Sequence, residues 1–114
     1  MTIIMVMKGR RQRYALVYAP IVKEHLRAIE PKYYSLIRKS IEIQLRFEPT
    51  IETINRKPLK RPVAFGGEWE LRFGPDHRFR VFYEVDDQRH EVRLLALGVK
   101  QGNRLVIGRE EVLS

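Results

Sequence analysis

The sequence contains no cysteine, which excludes disulfide bonds and thiolate metal sites. A chain without disulfides suits a reducing compartment, so a cytoplasmic location is expected. The three histidines, His25, His77 and His90, are scattered without the spacing of metal ligands. The sequence therefore predicts no metal ion and no cofactor.

Long apolar runs are also missing, and none could cross a membrane. The run at residues 3–7 (IIMVM) is short and has no basic residue before it, unlike a secretory signal. We predict that residues 1–12 form an N-terminal extension, either an extra strand or a loose tail. Residues 13–114 contain no repeat, low-complexity tract or linker, and their length fits a single domain.

Familiar catalytic motifs are absent as well. The sequence has no recognisable serine–histidine–acid set, phosphate-binding glycine loop or catalytic carboxylate pair. Glu68 and Glu70 flank Trp69, but their positions are more typical of surface ion pairing. His77 follows Asp76 in a turn and is a candidate general base, although most turn histidines are only solvent-exposed.

What the sequence has in excess is positive charge. It carries 22 lysines and arginines against 14 acidic residues, a formal net charge of +8. This balance favours nucleic acid, an anionic membrane or an acidic protein as partner, and RNA is the first expectation. The alternative is a charge that serves only solubility.

Hydrophobic periodicity predicts one strand followed by two helices. The strand spans about residues 13–19, and Pro20 starts a short helix that ends near residue 29. A longer helix is predicted from about residue 31 to residue 46. Its apolar stripe is predicted to face the core and comprises Tyr34, Ile37, Ile41 and Leu45, widened by Tyr33, Leu36 and Ile43.

Four further strands are predicted at residues 69–73, 78–85, 91–99 and 104–107. The third of these is almost wholly aliphatic and is therefore expected at the centre of the sheet. Residues 50–67 are predicted to be a loop. The order β-α-α-β-β-β-β predicts an α+β domain with two N-terminal helices on one face of a mainly antiparallel twisted sheet.

Basic residues collect in the loop and on the second face of the predicted sheet. The segment 55–62 (NRKPLKRP) has four basic residues and no acidic one, and its prolines restrict it toward extended backbone. If Trp69 and Leu71 face the core, alternation directs Glu70 and Arg72 to the other face. Guanidinium groups there suit phosphate, whereas ordinary cross-strand Arg–Glu pairs on a solvated face are the alternative. The predicted RNA-binding residues are Arg56, Lys57, Arg61, Arg80 and Arg104.

Three segments in fixed order resemble the RelE/ParE superfamily of toxins from toxin–antitoxin systems. They are residues 69–74 (WELRFG), 78–85 (RFRVFYEV) and 94–100 (LLALGVK). The resemblance covers about residues 13–108 and implies a RelE-like fold and an antitoxin that forms a hetero-oligomer with the chain. RelE-like members bind the ribosome and cleave messenger RNA by attack of its 2′-hydroxyl on the adjacent phosphate, whereas ParE-like members inhibit DNA gyrase.

The resemblance also implies roles for single residues. Arg72 matches the family's strand arginine and would stabilise the phosphate, and Lys100 matches the basic residue after the central strand. Ile107 stands where many active members carry a tyrosine, and it cannot transfer a proton. Basic loop residues fall where the family has active-site lysines, namely Lys57, Lys60 and Arg61. With a histidine or lysine in place of the tyrosine, the catalytic candidates are Arg72, Lys100, Lys60 and His77. The alternatives are a gyrase inhibitor and a degenerate toxin that only binds its antitoxin.

Overall fold

The computed structural model describes residues 12–61 and 66–112, and these residues contain two helices and one sheet of seven strands. The predicted N-terminal extension, apart from Gln12, lies outside the described residues. β1 (Ala15–Tyr18) leads directly into α1 (Pro20–Arg27). Pro20 suits this junction because a proline at the first helical position forgoes no helical hydrogen bond. A 3₁₀ turn, Pro31–Tyr33, then opens α2 (Tyr34–Leu45).

The second half of the chain forms the rest of the sheet. Its strands are β2 (Arg56–Pro58), β3 (Trp69–Phe73), β4 (Phe79–Asp86), β5 (Glu91–Gln101), β6 (Arg104–Ile107) and β7 (Glu110–Val112). They pair antiparallel in chain order from β2 to β7.

β5 is the central strand, as its aliphatic sequence predicts. It pairs with β4 along one edge, while its other edge is shared by two strands. The first four residues of β5 pair with β1 in parallel, and the last four pair with β6. Leu97 lies between these two pairings, and its backbone N–H donates to Nδ1 of His25, 3.2 Å away on α1. A side chain thus satisfies a backbone donor where the sheet changes partner.

Both helices cover one face of the sheet, where they enclose the larger core. Ile37, Ile41 and Leu45 of α2 are buried against sheet residues such as Leu71 and Leu94. Tyr83 closes the core by donating from its hydroxyl to the Pro49 carbonyl at 2.6 Å, which fixes the segment after α2.

The α+β fold with two helices on one face is confirmed, and three details of the prediction are wrong. Ile43 and Leu36 do not widen the core stripe, since Ile43 is 75% exposed. The predicted loop 50–67 contains β2, and residues 110–112 form β7. Both strands are only three residues long, so neither shows a measurable period of two.

Candidate nucleic-acid interface

The face of the sheet away from the helices, here called the outer face, carries the candidate site. Strand register places Lys57 opposite Glu70, and Arg72 opposite Arg80. Arg80 in turn lies opposite Gly98, so alternation places Lys100 on the same face. Five charged side chains on four neighbouring strands therefore share one surface: Lys57, Glu70, Arg72, Arg80 and Lys100.

A carboxylate lies between the two arginines of this face. One oxygen of Glu70 accepts from Nε of Arg72 at 2.7 Å, and the other accepts from an Nη of Arg80 at 3.3 Å. Arg80 also donates from Nε to the His77 carbonyl at 2.9 Å. The side chains of Glu70 and Arg80 are each 10% exposed, whereas Arg72 is 38% exposed. Of the two arginines, Arg72 is the accessible one.

The other end of the outer face is neutralised by its own carboxylates. Arg93 lies opposite Glu84 and forms ion pairs with it, with Asp86 and with Glu91 at 3.0 to 3.7 Å. The pKa of the Asp86 carboxyl is lowered, first by the hydrogen bond from the Arg89 backbone N–H and then by Arg93. Three carboxylates thus surround one arginine here, while Arg72 and Arg80 share a single carboxylate. This end therefore matches the alternative of ordinary cross-strand Arg–Glu pairs on a solvated face. The excess positive charge lies at the end that holds Arg72 and Arg80.

A cleft of about 610 Å³ opens beside Arg80 at the charged end. Lys100 and Gln101 form one wall, and Asp76 and Arg78 form another. Asp76 and His77 both have positive φ, 54° and 51°, in the turn between β3 and β4. Polar residues tolerate this left-handed backbone better than branched ones do, and the turn brings Asp76 to the cleft.

Two predicted RNA-binding arginines do not belong to this surface. Arg56 points to the helical side and is only 7% exposed. It donates to the Gln44 carbonyl, the Gln44 side-chain oxygen and the Ile51 carbonyl at 2.7 to 2.9 Å. It therefore caps the carboxyl end of α2. Arg104 pairs in register with Gln101, on the side of the sheet away from Lys100, and lies 3.7 Å from Glu111.

The remaining residues that the sequence indicates differ in their exposure and in the contacts they make. Lys57 shares the outer face but forms an ion pair with Glu52 at 3.6 Å. Lys60 and Arg61 are exposed in the loop after β2, just before residues 62–65, which the structure does not describe. The His77 carbonyl accepts from Arg80, and the His77 ring forms no hydrogen bond or ion pair with the described residues. Ile107, where the family resemblance implies a tyrosine, is 8% exposed and packs with Phe82 and Ala96.

Two residues of the site were missed from the sequence. The sequence pattern of Glu70 is typical of surface ion pairing, but the structure buries this side chain between two arginines. The Glu-x-Arg spacing on β3, with an arginine on the next strand, is the signal for that contact. Asp76, which the sequence indicates only as part of a turn, lines the cleft beside Arg80. In the described ranges no three histidine or acidic side chains gather closely enough to hold a metal ion.

A second concave surface lies on the helical side. An apolar groove of about 550 Å³ runs between α1 and α2 above β1. Its floor and walls include Leu16, Tyr18, Val22, Leu26, Ile37 and Ile41. Lys23, Arg38 and Arg46 also line it, against a single acidic residue, Glu42. The outer edge of β1, beside the groove, pairs with no strand among the described residues.

Comparison with solved structures finds a chain of the toxin–antitoxin complex RelBE2 from Mycobacterium tuberculosis. The match has a TM-score of 0.64 at 21% sequence identity and covers 80% of this chain and 95% of that chain. The chain has a RelE-like fold. The RelE-like fold implied by the resemblance of segments 69–74, 78–85 and 94–100 is thereby confirmed. No protein-family model and no curated protein matches the sequence. No described helix of the RelE-like fold is long and apolar enough to span a membrane.

Proposed function

We propose that this chain is the toxin of a toxin–antitoxin pair and that it cleaves messenger RNA on the ribosome, in the cytoplasm. The observation that supports this best is the Arg72 side chain, which is 38% exposed and lies at the end of the outer face that has one carboxylate for two arginines. Lys100 stands in the adjoining cleft. A phosphodiester fits this arrangement because arginine offers paired donors to two phosphate oxygens.

The proposed reaction needs no metal or cofactor. The RNA 2′-oxygen bonds to the adjacent phosphorus while the bond from phosphorus to the 5′-oxygen breaks. A 2′,3′-cyclic phosphate and a 5′-hydroxyl result. Arg72 stabilises the charge that develops on the phosphate oxygens, Lys100 donates a proton to the departing 5′-oxygen, and His77 accepts the proton of the 2′-hydroxyl. Lys57, Lys60 and Arg61 hold the RNA backbone by charge.

Cell-free translation tests this proposal directly. The purified protein is added to a translation reaction and new 5′ ends of the messenger are mapped by primer extension. Wild type should produce ends at ribosomal A-site positions, and Arg72→Ala should reduce them by about 10²–10³-fold, the usual effect of removing one preorganised charge stabiliser. Arg89→Ala is the matched control, because Arg89 is exposed in the turn at the far end of β4. Equal cleavage by the Arg72 and Arg89 variants would contradict the proposal.

A second candidate function rests on Ile107. A buried aliphatic side chain stands where the family resemblance implies a proton-transferring tyrosine. This favours a toxin that acts by binding, such as a ParE-like gyrase inhibitor, or a degenerate toxin. A gyrase inhibitor would block DNA supercoiling in vitro and leave messenger intact, and the block would survive Arg72→Ala.

The proposed antitoxin is an acidic chain that docks in the apolar groove between α1 and α2. Apolar side chains would fill its floor, and carboxylates would meet Lys23, Arg38 and Arg46. A second copy of this chain is a poor occupant, since it would bring another net charge of +8 against the same three cations.

A further inference from the structure

Glu70 is a buried carboxylate to which the proposed chemistry assigns no role. Only 7% of the residue is exposed, and its carboxylate contacts two guanidinium groups. A buried charge persists where partners compensate it, and here Arg72 and Arg80 supply that compensation. Because these two arginines are directly opposite in the β3–β4 register, they would repel each other without the carboxylate.

The contacts of Glu70 also determine which part of Arg72 remains available. Glu70 engages Nε of Arg72, the inner nitrogen of the guanidinium. Among the described residues, the two terminal nitrogens of Arg72 donate to no protein acceptor, and its side chain is 38% exposed. Arg80 is held differently, with Nε on the His77 carbonyl and one Nη on Glu70. It is 10% exposed and has little surface to offer a ligand.

We propose that Glu70 is a positioning residue that holds Arg72 with its two terminal nitrogens directed at the RNA phosphate. Arg80 then serves as a fixed support for Glu70 rather than as an RNA contact. This inference rests on the proposed ribonuclease function. Orientation of this kind matters to rate because a displacement of about 1 Å in a catalytic group can cost about 10²-fold.

Removal of Glu70 is expected to affect RNA binding and RNA cleavage in opposite directions. Glu70→Ala raises the net charge by one, which favours RNA binding at low salt. It also releases the guanidinium of Arg72, which disfavours the chemical step. The expected signature is therefore cleavage reduced by about 10- to 10²-fold while affinity for single-stranded RNA is unchanged or tighter. A residue that only maintains the fold would lower both together.

The experiment compares wild type, Glu70→Ala, Glu70→Gln and Glu68→Ala. Glu68 is exposed and two residues earlier, so Glu68→Ala makes the same change of charge without touching Arg72. Cleavage is measured in cell-free translation, and binding of a 16-nucleotide single-stranded RNA by fluorescence anisotropy at several salt concentrations. Glu70→Gln keeps an oxygen that can accept from Arg72 Nε, so its cleavage should fall between wild type and Glu70→Ala. Cleavage by Glu70→Ala equal to that of Glu68→Ala would overturn the proposal.

A second measurement keeps this inference separate from the proposed function. Exchange of the Arg72 Nε–H with water is followed by NMR, with Arg72→Lys used to assign the signal. Exchange should be slow in wild type, faster in Glu70→Gln, whose neutral oxygen accepts more weakly than a carboxylate, and fastest in Glu70→Ala. Unchanged exchange in a folded Glu70→Ala protein would refute the positioning role. If Glu70→Ala does not fold, the test uses Glu70→Gln instead. Exchange faster than in wild type then supports the positioning role, and cleavage equal to that of wild type refutes it. If wild type cleaves no messenger, the ribonuclease proposal fails, and slow exchange that depends on Glu70 still establishes the contact.

Discussion

The two faces of the sheet use the same residue type, arginine, in opposite ways. On the helical face, Arg56 is 7% exposed, and its side chain donates to oxygens of Gln44 on α2 and of Ile51 in the turn after it. On the outer face, Arg72 is 38% exposed and uses one nitrogen for Glu70. An arginine whose donors are consumed by carbonyls holds the fold together. One whose terminal donors face solvent can bind a phosphate.

The faces also differ in what lies beneath the charge. Behind the helices the core is extensive and apolar, from Ile37 and Ile41 on α2 to Leu94 on β5. The outer face has a smaller apolar cluster, built from Phe82, Ala96 and Ile107. The helical face is therefore expected to carry most of the stability, and the outer face carries the proposed RNA site.

The largest effect on stability is expected at Leu94, which is fully buried on the central strand. Leu94→Ala should lower the free energy of unfolding by about 2–5 kcal/mol, from lost apolar burial and the cavity that remains. Ile43→Ala is the control, because Ile43 is 75% exposed on α2, and its effect should stay within about 0.5 kcal/mol. Urea denaturation measures both. Similar urea midpoints for the two variants would show that the helical face does not carry most of the stability.

A smaller effect should separate Arg56 from its neighbour Lys57. Arg56→Ala removes charge-assisted hydrogen bonds to the end of α2 and should cost about 2–3 kcal/mol, with RNA affinity of the folded protein unchanged. Lys57→Ala should leave stability within about 0.5 kcal/mol and lower the salt dependence of RNA binding by about one phosphate contact. Urea denaturation and anisotropy titrations against salt measure the two quantities. Weaker RNA binding by a folded Arg56→Ala protein would show that Arg56 contributes to the RNA interface.

What the sequence could predict follows from periodicity. The alternation of Trp69, Leu71 and Phe73 gave the bounds of β3 and the direction of Arg72, because a strand of five residues shows its period of two. The aliphatic run at residues 91–99 gave the central strand. The RelE-like segments supplied Arg72 and Lys100 as candidate site residues, which the structure places on one face.

What the sequence could not predict depends on pairing between distant segments. Arg56 lies in a three-residue strand with a proline, so no pattern gave its direction. Its acceptors on α2 and in the turn are set by packing. Glu70 looks like any surface glutamate until β4 brings Arg80 beside it, which buries the carboxylate. Ile43 fits a helical stripe by spacing, but α2 turns that position toward solvent because the sheet contacts only its narrower face.

The smallest effect is expected where the two pairings on β5 meet. Burial lowers the pKa of His25 below 6.5, and Nδ1 accepts the Leu97 N–H, which protonation would prevent. The folded chain therefore binds fewer protons at this site than the unfolded chain between the lowered pKa and 6.5. Stability from this contact is complete above pH 6.5 and is lost as the pH falls toward the folded pKa. Because His25 is only partly buried, water screens part of the effect.

The measurement is the difference in unfolding free energy between wild type and His25→Gln from pH 7.5 to 5. A glutamine oxygen can accept the Leu97 N–H at every pH in this range, so wild type should lose stability relative to this variant on acidification. Ile43→Ala is the control, because neither side chain at this exposed position titrates, so its difference from wild type should stay level with pH. A wild type that gains stability relative to His25→Gln on acidification would show that the imidazole is charged in the fold. The strand junction would then depend on another donor–acceptor arrangement than the one between His25 and Leu97.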